Sequence, residues 1–182
     1  MLENLAALDA NIVMFFQEYI RTPILTPFLT FCTTLGNAGM IWIVISLGLC
    51  IFPKTRKLGI MGICALLGSL LVNNMFLKNI IDRARPYEVI EGLELLIPKP
   101  VDSSFPSGHT ASSFAVACIL FRKLPRKWGI WPLILAIIIA FSRLYLGVHF
   151  PSDIIFGMIS GILISFFAQW FVERVIYKKR EN

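Results

Sequence analysis

The sequence predicts an all-α integral membrane protein. It reads as one domain over residues 1–182, a bundle of five transmembrane helices, or six if the N-terminal helix also crosses, with a long extracytoplasmic loop that carries part of a functional site. Three observations predict this. Hydrophobic residues make up 57% of the chain and the mean hydropathy is +0.74, outside the range of soluble domains. Apolar runs of spanning length follow one another with short connections between them. The basic residues gather in alternate connections, as they do when one set of loops faces the cytoplasm.

Residues 4–20 place Leu5, Leu8, Ile12, Phe15, Phe16 and Tyr19 on one helical stripe, with Asp9, Gln17 and Glu18 off it. A short helix interrupted by charge is expected to lie in the membrane interface. Residues 24–52 are almost uncharged and exceed the roughly 20 residues a span requires, with Gly36-Asn37-Ala38-Gly39 as a bend. A second span covers 58–77 and turns polar at Asn73, Asn74 and Lys78, as a helix entering a polar cavity would. Residues 79–105 form the one long polar connection, and a loop of that length in a compact protein is usually a lid or binding rim. Within it, Ile90, Leu93 and Leu95-Leu96-Ile97 suggest a short amphipathic turn on the membrane surface. Spans at 105–121, 128–147 and 152–177 complete the bundle.

Five crossings put Lys54, Arg56 and Lys57, Arg122, Lys123, Arg126 and Lys127, and Lys178, Lys179 and Arg180 on one side, ten of the seventeen basic residues. That side is expected to be cytoplasmic. The net charge of +6 is thereby explained by topology, since the clusters form no basic stripe with interleaved aromatics, and no nucleic-acid partner is expected. The first residues carry Glu3 and Asp9, unlike the basic start of a cleavable signal peptide, so a retained chain in the cell membrane is expected. Cys32, Cys50, Cys64 and Cys118 lie scattered in apolar segments and read as buried thiols.

The same topology gathers the remaining ionisable groups at the extracytoplasmic ends of spans two to five. Lys78 and Arg85 stand seven positions apart, close to two helical turns, so they share a face if the helix persists. Two cations on one face suit an anion held between them; Arg83 points elsewhere and reads as a cation reaching lipid headgroups. Pro106-Ser107-Gly108-His109 opens a helix after an irregular loop, where free N–H groups, a close backbone approach at Gly108 and the Ser107 hydroxyl can bind an anion. Alone, that tetrapeptide could equally be an ordinary helix cap. Finally Ser142-Arg143 leads to His149 and Asp153, a guanidinium, an imidazole and a carboxylate at the end of an apolar run. Ionisable groups at membrane depth mark functional sites, and this set suits chemistry on phosphate.

In order and spacing, Lys78-x6-Arg85-Pro86, Pro106-Ser107-Gly108-His109 and Ser142-Arg143-x5-His149-x3-Asp153 resemble the three-part signature of the type 2 phosphatidic acid phosphatase superfamily. The motifs and their spans cover about residues 58–160. The resemblance implies that His149 is a nucleophile forming a phosphohistidine, that Asp153 holds its other ring nitrogen, and that His109 is the general acid. It implies that Lys78, Arg85, Arg143, Ser107 and the Gly108 amide bind the phosphoryl group. With fixed cations and no carboxylate cluster, no metal and no cofactor are expected. The expected partners are the bilayer and a membrane lipid phosphate, with undecaprenyl pyrophosphate favoured over phosphatidylglycerophosphate, phosphatidic acid or lipid A phosphate. The competing reading is a lipid-phosphate-binding protein without catalysis. Oligomeric state is not legible in the sequence.

Overall fold

The computed structural model describes residues 2–177, so the Lys178-Lys179-Arg180 cluster lies outside the described residues. α1 (Leu2–Phe15) continues as a π-helical turn, Phe16–Ile20, and Arg21 in extended backbone ends it. α2 (Leu25–Leu35) and α3 (Met40–Ile51) are joined by the 3-10 turn Asn37–Gly39. The expected bend is there: Ala38 and Gly39 have φ of 50° and 70°, and the two helices are inclined by 48°. Left-handed residues cannot continue a right-handed helix, and Gly39 takes that conformation without a Cβ penalty.

α4 (Arg56–Ser69) passes through a π-helical stretch, Leu70–Leu77, into α5 (Lys78–Ile81). Asp82, at φ 40°, then turns the chain out of the helix. A four-residue α6 (Pro86–Val89) follows, with Pro86 at its first position and the Arg85 N–H donating to Glu88 Oε2 at 2.6 Å. Lys78 and Arg85 therefore do not share a helix face, because the helix they would share stops between them. α7 (Gly108–Lys123), α8 (Arg126–Tyr145) and α9 (Pro151–Phe171, with a π-helical end Val172–Tyr177) complete the described chain.

α7 is the axis of the bundle. It packs along α8, α9 and α4, and its small residues Ala111, Ser113, Ala115 and Ala117 are buried to the backbone. α9 meets it through glycines: a Cβ at Gly161 would stand 2.4 Å from the Ala111 carbonyl oxygen, and one at Gly157 2.8 Å from that of Ser107. α4 approaches α3 in the same way, where a Cβ at Gly59 would lie 2.5 Å from the Ser46 carbonyl oxygen. These glycines are close helix contacts rather than openings for a lipid chain. The core that results includes Trp42, Met61, Phe114, Ile119, Leu120 and Ile139. Outward-facing Phe31, Val44, Leu71, Phe76, Leu163 and Phe167 remain exposed, the arrangement expected of helices bathed in hydrocarbon.

Among the described residues, three helical runs are long and apolar enough to cross a membrane, Arg56–Val89 (broken after Ile81), Arg126–Tyr145 and Pro151–Tyr177, and the bent pair α2–α3 makes a fourth. α7 has 16 residues, about 24 Å at 1.5 Å per residue, less than the roughly 30 Å hydrocarbon core. It is not among the helices that meet that length, so the described residues give three or four such runs where the sequence leads one to expect five spans. Two details depart from the sequence reading. Leu95, Leu96 and Ile97 form no amphipathic turn on a membrane surface; they pack inward on a second core of Leu29, Tyr145, Leu146 and Val148. Of the cysteines only Cys32 is buried, while Cys50, Cys64 and Cys118 are half-buried; all four are free thiols.

Candidate active site

One end of the bundle collects the polar side chains. Lys78 opens α5, the last turn of the long α4–α5 run, Arg85 caps α6, His109 sits in the first turn of α7, Arg143 lies in the last turn of α8, and His149 occupies the turn before α9. Gly147, at φ 74°, lets the chain reverse between α8 and α9 so that His149 faces back toward Arg85.

The three cations converge. Lys78 Nζ is ion-paired with Asp102 Oδ2, and Arg85 grips the same carboxylate at Oδ1 (2.7 Å) while its Nε donates to the Asp102 carbonyl oxygen (2.7 Å). Arg85 also donates to the Val148 carbonyl oxygen at 2.7 Å, and its NH1 lies 3.4 Å from His149 Nε2. Arg143 donates from NH1 to Thr33 Oγ1 at 2.8 Å, and its buried Nε has no hydrogen-bond partner. A buried guanidinium with a spare donor suits an anion that completes it. One carboxylate against three cations leaves positive charge uncompensated. Burial alone would raise the Asp102 carboxyl, but the Lys78 hydrogen bond and the Lys78 and Arg85 charges outweigh it and hold it at about 2.

His149 is 1% exposed and its Nδ1 lies 3.5 Å from Asp153 Oδ2. That carboxylate oxygen also accepts from the Ser104 hydroxyl (2.6 Å) and the Phe150 N–H (2.9 Å). Burial, helped by the Arg143 and Arg85 charges and opposed by Asp153, lowers the His149 pKa to about 3. The imidazole is thus neutral at ordinary pH, with Nε2 directed at Arg85 and its other nitrogen held by a carboxylate.

A cavity of about 380 Å³ opens beside these groups, lined by Thr30, Thr33, Thr34, Asn37, Ile97, Pro98 and Pro100 together with Arg85, Asp102, His109 and Arg143. His109 Nε2 is paired with Asn37 Oδ1 at 3.0 Å. Ser107 is buried and its hydroxyl accepts from Thr110 Oγ1 at 3.0 Å, so it does not line that cavity. Gly108 lines a second, apolar cavity of about 510 Å³ that runs along Gly36, Gly39, Leu47, Leu66 and Leu70 at the α2–α3 bend.

Sequence reasoning missed several partners. Asp102 carries no motif signal beyond its place six residues before Gly108. Thr33 and Asn37 sit in an apolar segment, where a lone polar residue is the available hint. Arg83, expected to reach lipid headgroups, is instead ion-paired to Asp153 (2.7 Å) and to Asp9 (2.8 Å). Asp9, assigned to the polar side of an interfacial helix, is 4% exposed because that pairing draws it inward.

Comparison with known proteins fits this geometry. The PAP2 superfamily profile matches residues 58–177, a span that holds all three motifs. The chain belongs to the PAP2 superfamily. Among relatives, an undecaprenyl-diphosphatase of Sulfolobus acidocaldarius is 35% identical over 126 residues, 69% of this chain and 61% of that protein. Undecaprenyl-diphosphatase BcrC of Bacillus subtilis is 36% identical over 59% of this chain, and the match spans 52% of its length. These matches thus span less than two thirds of either relative. Phosphatidylglycerophosphatase B of Bacillus subtilis is 31% identical over 86% of this chain and 79% of its own. Two solved PAP2-like structures share the fold. LpxE of Aquifex aeolicus superposes with a TM-score of 0.77 at 29% identity, covering 87% of this chain and 92% of that one. The transmembrane PAP2 type phosphatidylglycerolphosphate phosphatase of Bacillus subtilis gives 0.76 at 29% identity, covering 94% and 88%. With its apolar helices and these membrane PAP2 neighbours, the chain is a membrane protein.

Proposed function

We propose that this PAP2 protein is a metal-independent phosphatase of lipid phosphates or pyrophosphates, working through a phosphohistidine at the extracytoplasmic face. The observation that carries the reading is the convergence of Lys78 and Arg85 on one carboxylate directly beside a buried, neutral His149 that is held by Asp153. Asp102 stands where phosphoryl oxygens would sit, and a phosphate must displace it to reach the cations.

His149 Nε2 then attacks phosphorus; a P–N bond forms while the P–O bond to the lipid breaks. His109 donates a proton to the departing oxygen. Lys78, Arg85 and Arg143, with the N–H groups at the start of α7, hold the charge that builds on the equatorial oxygens. In the second step water attacks phosphorus, the P–N bond breaks, and His109 takes the water's proton. Asp153 stabilises the cationic ring of the phosphohistidine and fixes the attacking nitrogen.

The apolar cavity beside Gly108 supports a lipid substrate, because it leads from the start of α7 along an aliphatic wall. The names of the relatives support a polyprenyl pyrophosphate first and phosphatidylglycerophosphate second. Purified protein in detergent with EDTA is expected to release inorganic phosphate from such lipids, and His149→Ala to abolish release while keeping its thermal melt. Full turnover in His149→Ala rules out the mechanism. A kcat/KM comparison across undecaprenyl pyrophosphate, phosphatidylglycerophosphate and phosphatidic acid assigns the substrate.

A further inference from the structure

We propose that Arg83, gripped by Asp9 of the N-terminal helix, is a positioning residue that sets the Asp153 carboxylate against His149. The inference rests on the phosphohistidine reading above. Arg83 lies between Lys78 and Arg85 in sequence, but its donors are spent in a different direction. NH1 donates to Asp153 Oδ1 (2.7 Å) and to Ser152 Oγ (2.7 Å), and NH2 donates to Asp9 Oδ2 (2.8 Å). Its guanidinium carbon sits 4.1 Å from the Phe150 ring centroid, which fixes the plane of the group.

The two oxygens of Asp153 are thereby divided. Oδ2 faces His149, Ser104 and the Phe150 N–H, while Oδ1 is tied to Arg83. A carboxylate held at both oxygens cannot rotate away from the imidazole. The Arg83 backbone also holds Ser104, whose N–H donates to its carbonyl oxygen at 2.9 Å, and that oxygen accepts from the Ser103 hydroxyl at 3.3 Å.

Asp9 closes the arrangement. Besides taking Arg83, it accepts from the Ser152 N–H at 3.1 Å and hydrogen-bonds the Ser152 hydroxyl, so α1 is clamped to the first turn of α9. Three charges, Asp9, Arg83 and Asp153, are held together with side-chain exposures of 6%, 26% and 0%. Buried charges at such a cost are kept where geometry matters, and removing one leaves the others uncompensated. The N-terminal helix, outside the residues that match the family, is thus part of the site's support.

The test is steady-state kinetics with vanadate inhibition and thermal melts for Arg83→Ala, Arg83→Lys, Asp9→Asn and Asp153→Asn in the full-length protein. Arg83→Ala is expected to lower kcat roughly 10- to 100-fold, as misplacement of a catalytic group does, while KM and the vanadate Ki stay within about 3-fold, within the context scatter of single contacts. Arg83→Lys is expected to recover part of kcat. In the Asp153→Asn background, Arg83→Ala is expected to cost little more, because both act through one carboxylate. A KM and Ki that rise as in Arg85→Ala make Arg83 a phosphate ligand and overturn the proposal. So does a double-mutant loss equal to the product of the single losses, or an unchanged kcat. Should Arg83→Ala fail to fold, Asp9→Asn gives the same double-mutant comparison. Wild-type protein that releases no phosphate removes the functional reading itself, whereas an active wild type with an equally active Arg83→Ala removes the positioning role alone.

Discussion

At the scale of the residue, the site works by contrast between groups that are free and groups that are tied. Arg143 keeps an unpartnered Nε, Lys78 and Arg85 share one loop carboxylate, and His149 is buried and neutral. Its pKa of about 3 in the fold compares with about 6.5 in an unfolded chain. Between those values the unfolded chain binds a proton that the folded one refuses, so this group's contribution to stability is lost as the pH falls through that window. The expected outcome is a melting temperature in detergent that drops between about pH 7 and pH 4, with a shallower drop in His149→Gln. Equal slopes for the two proteins place the titration elsewhere. The same low value would keep His149 unprotonated as the proposed nucleophile, so the acid limb of kcat/KM, corrected for substrate ionisation, is expected below pH 6.5.

At the scale of the element, two features can be tested. The first is the approach of α9 to α7. Gly161→Ala would force a methyl within 2.4 Å of the Ala111 carbonyl oxygen, whereas Gly48→Ala in α3 meets nothing within 4 Å. Gly161→Ala is expected to cost about 1–3 kcal/mol from overpacking, and Gly48→Ala to be neutral or stabilising by about 0.5–1 kcal/mol in helix propensity; thermal melts of both variants separate the two. The second is the strand of loop around Asp102. Because that carboxylate holds both Lys78 and Arg85, it competes with any incoming anion. Asp102→Asn is expected to tighten vanadate inhibition several-fold, each 1.4 kcal/mol of lost competition giving about tenfold. A weaker inhibition by vanadate in that variant shows that Asp102 assembles the cradle instead of blocking it. The loop itself is anchored from the turn that follows α1, where Gln17 donates to the Gly92 carbonyl oxygen at 2.9 Å and Arg21 to that of Glu94 at 2.8 Å.

At the scale of the whole molecule, the five-span topology expected from the sequence and the proposed orientation carry a direct prediction. In a cysteine-free background, Lys99→Cys is expected to react with an impermeant thiol reagent in intact cells and Arg126→Cys only after permeabilisation. The reverse pattern inverts the topology and moves the site to the cytoplasmic face.

Much of the fold and of the site is written in local periodicity and in motif spacing. Hydropathy placed the long helices within a few residues, since roughly 20 apolar residues in a row have few other uses. The bend at Gly36–Gly39 was legible because glycine there admits a left-handed turn. The motifs named Lys78, Arg85, His109, Arg143, His149 and Asp153, and the fold brings these to one end of the bundle. Which charge meets which is settled by contacts between distant segments. Asp102 faces Lys78 and Arg85 across a loop with no regular period, and Asp9 meets Arg83 across 74 residues. An ion pair between distant segments leaves no trace in the hydropathy of either one. Burial of Asp9 follows from that long-range partner, because a buried charge settles where its counter-charge is.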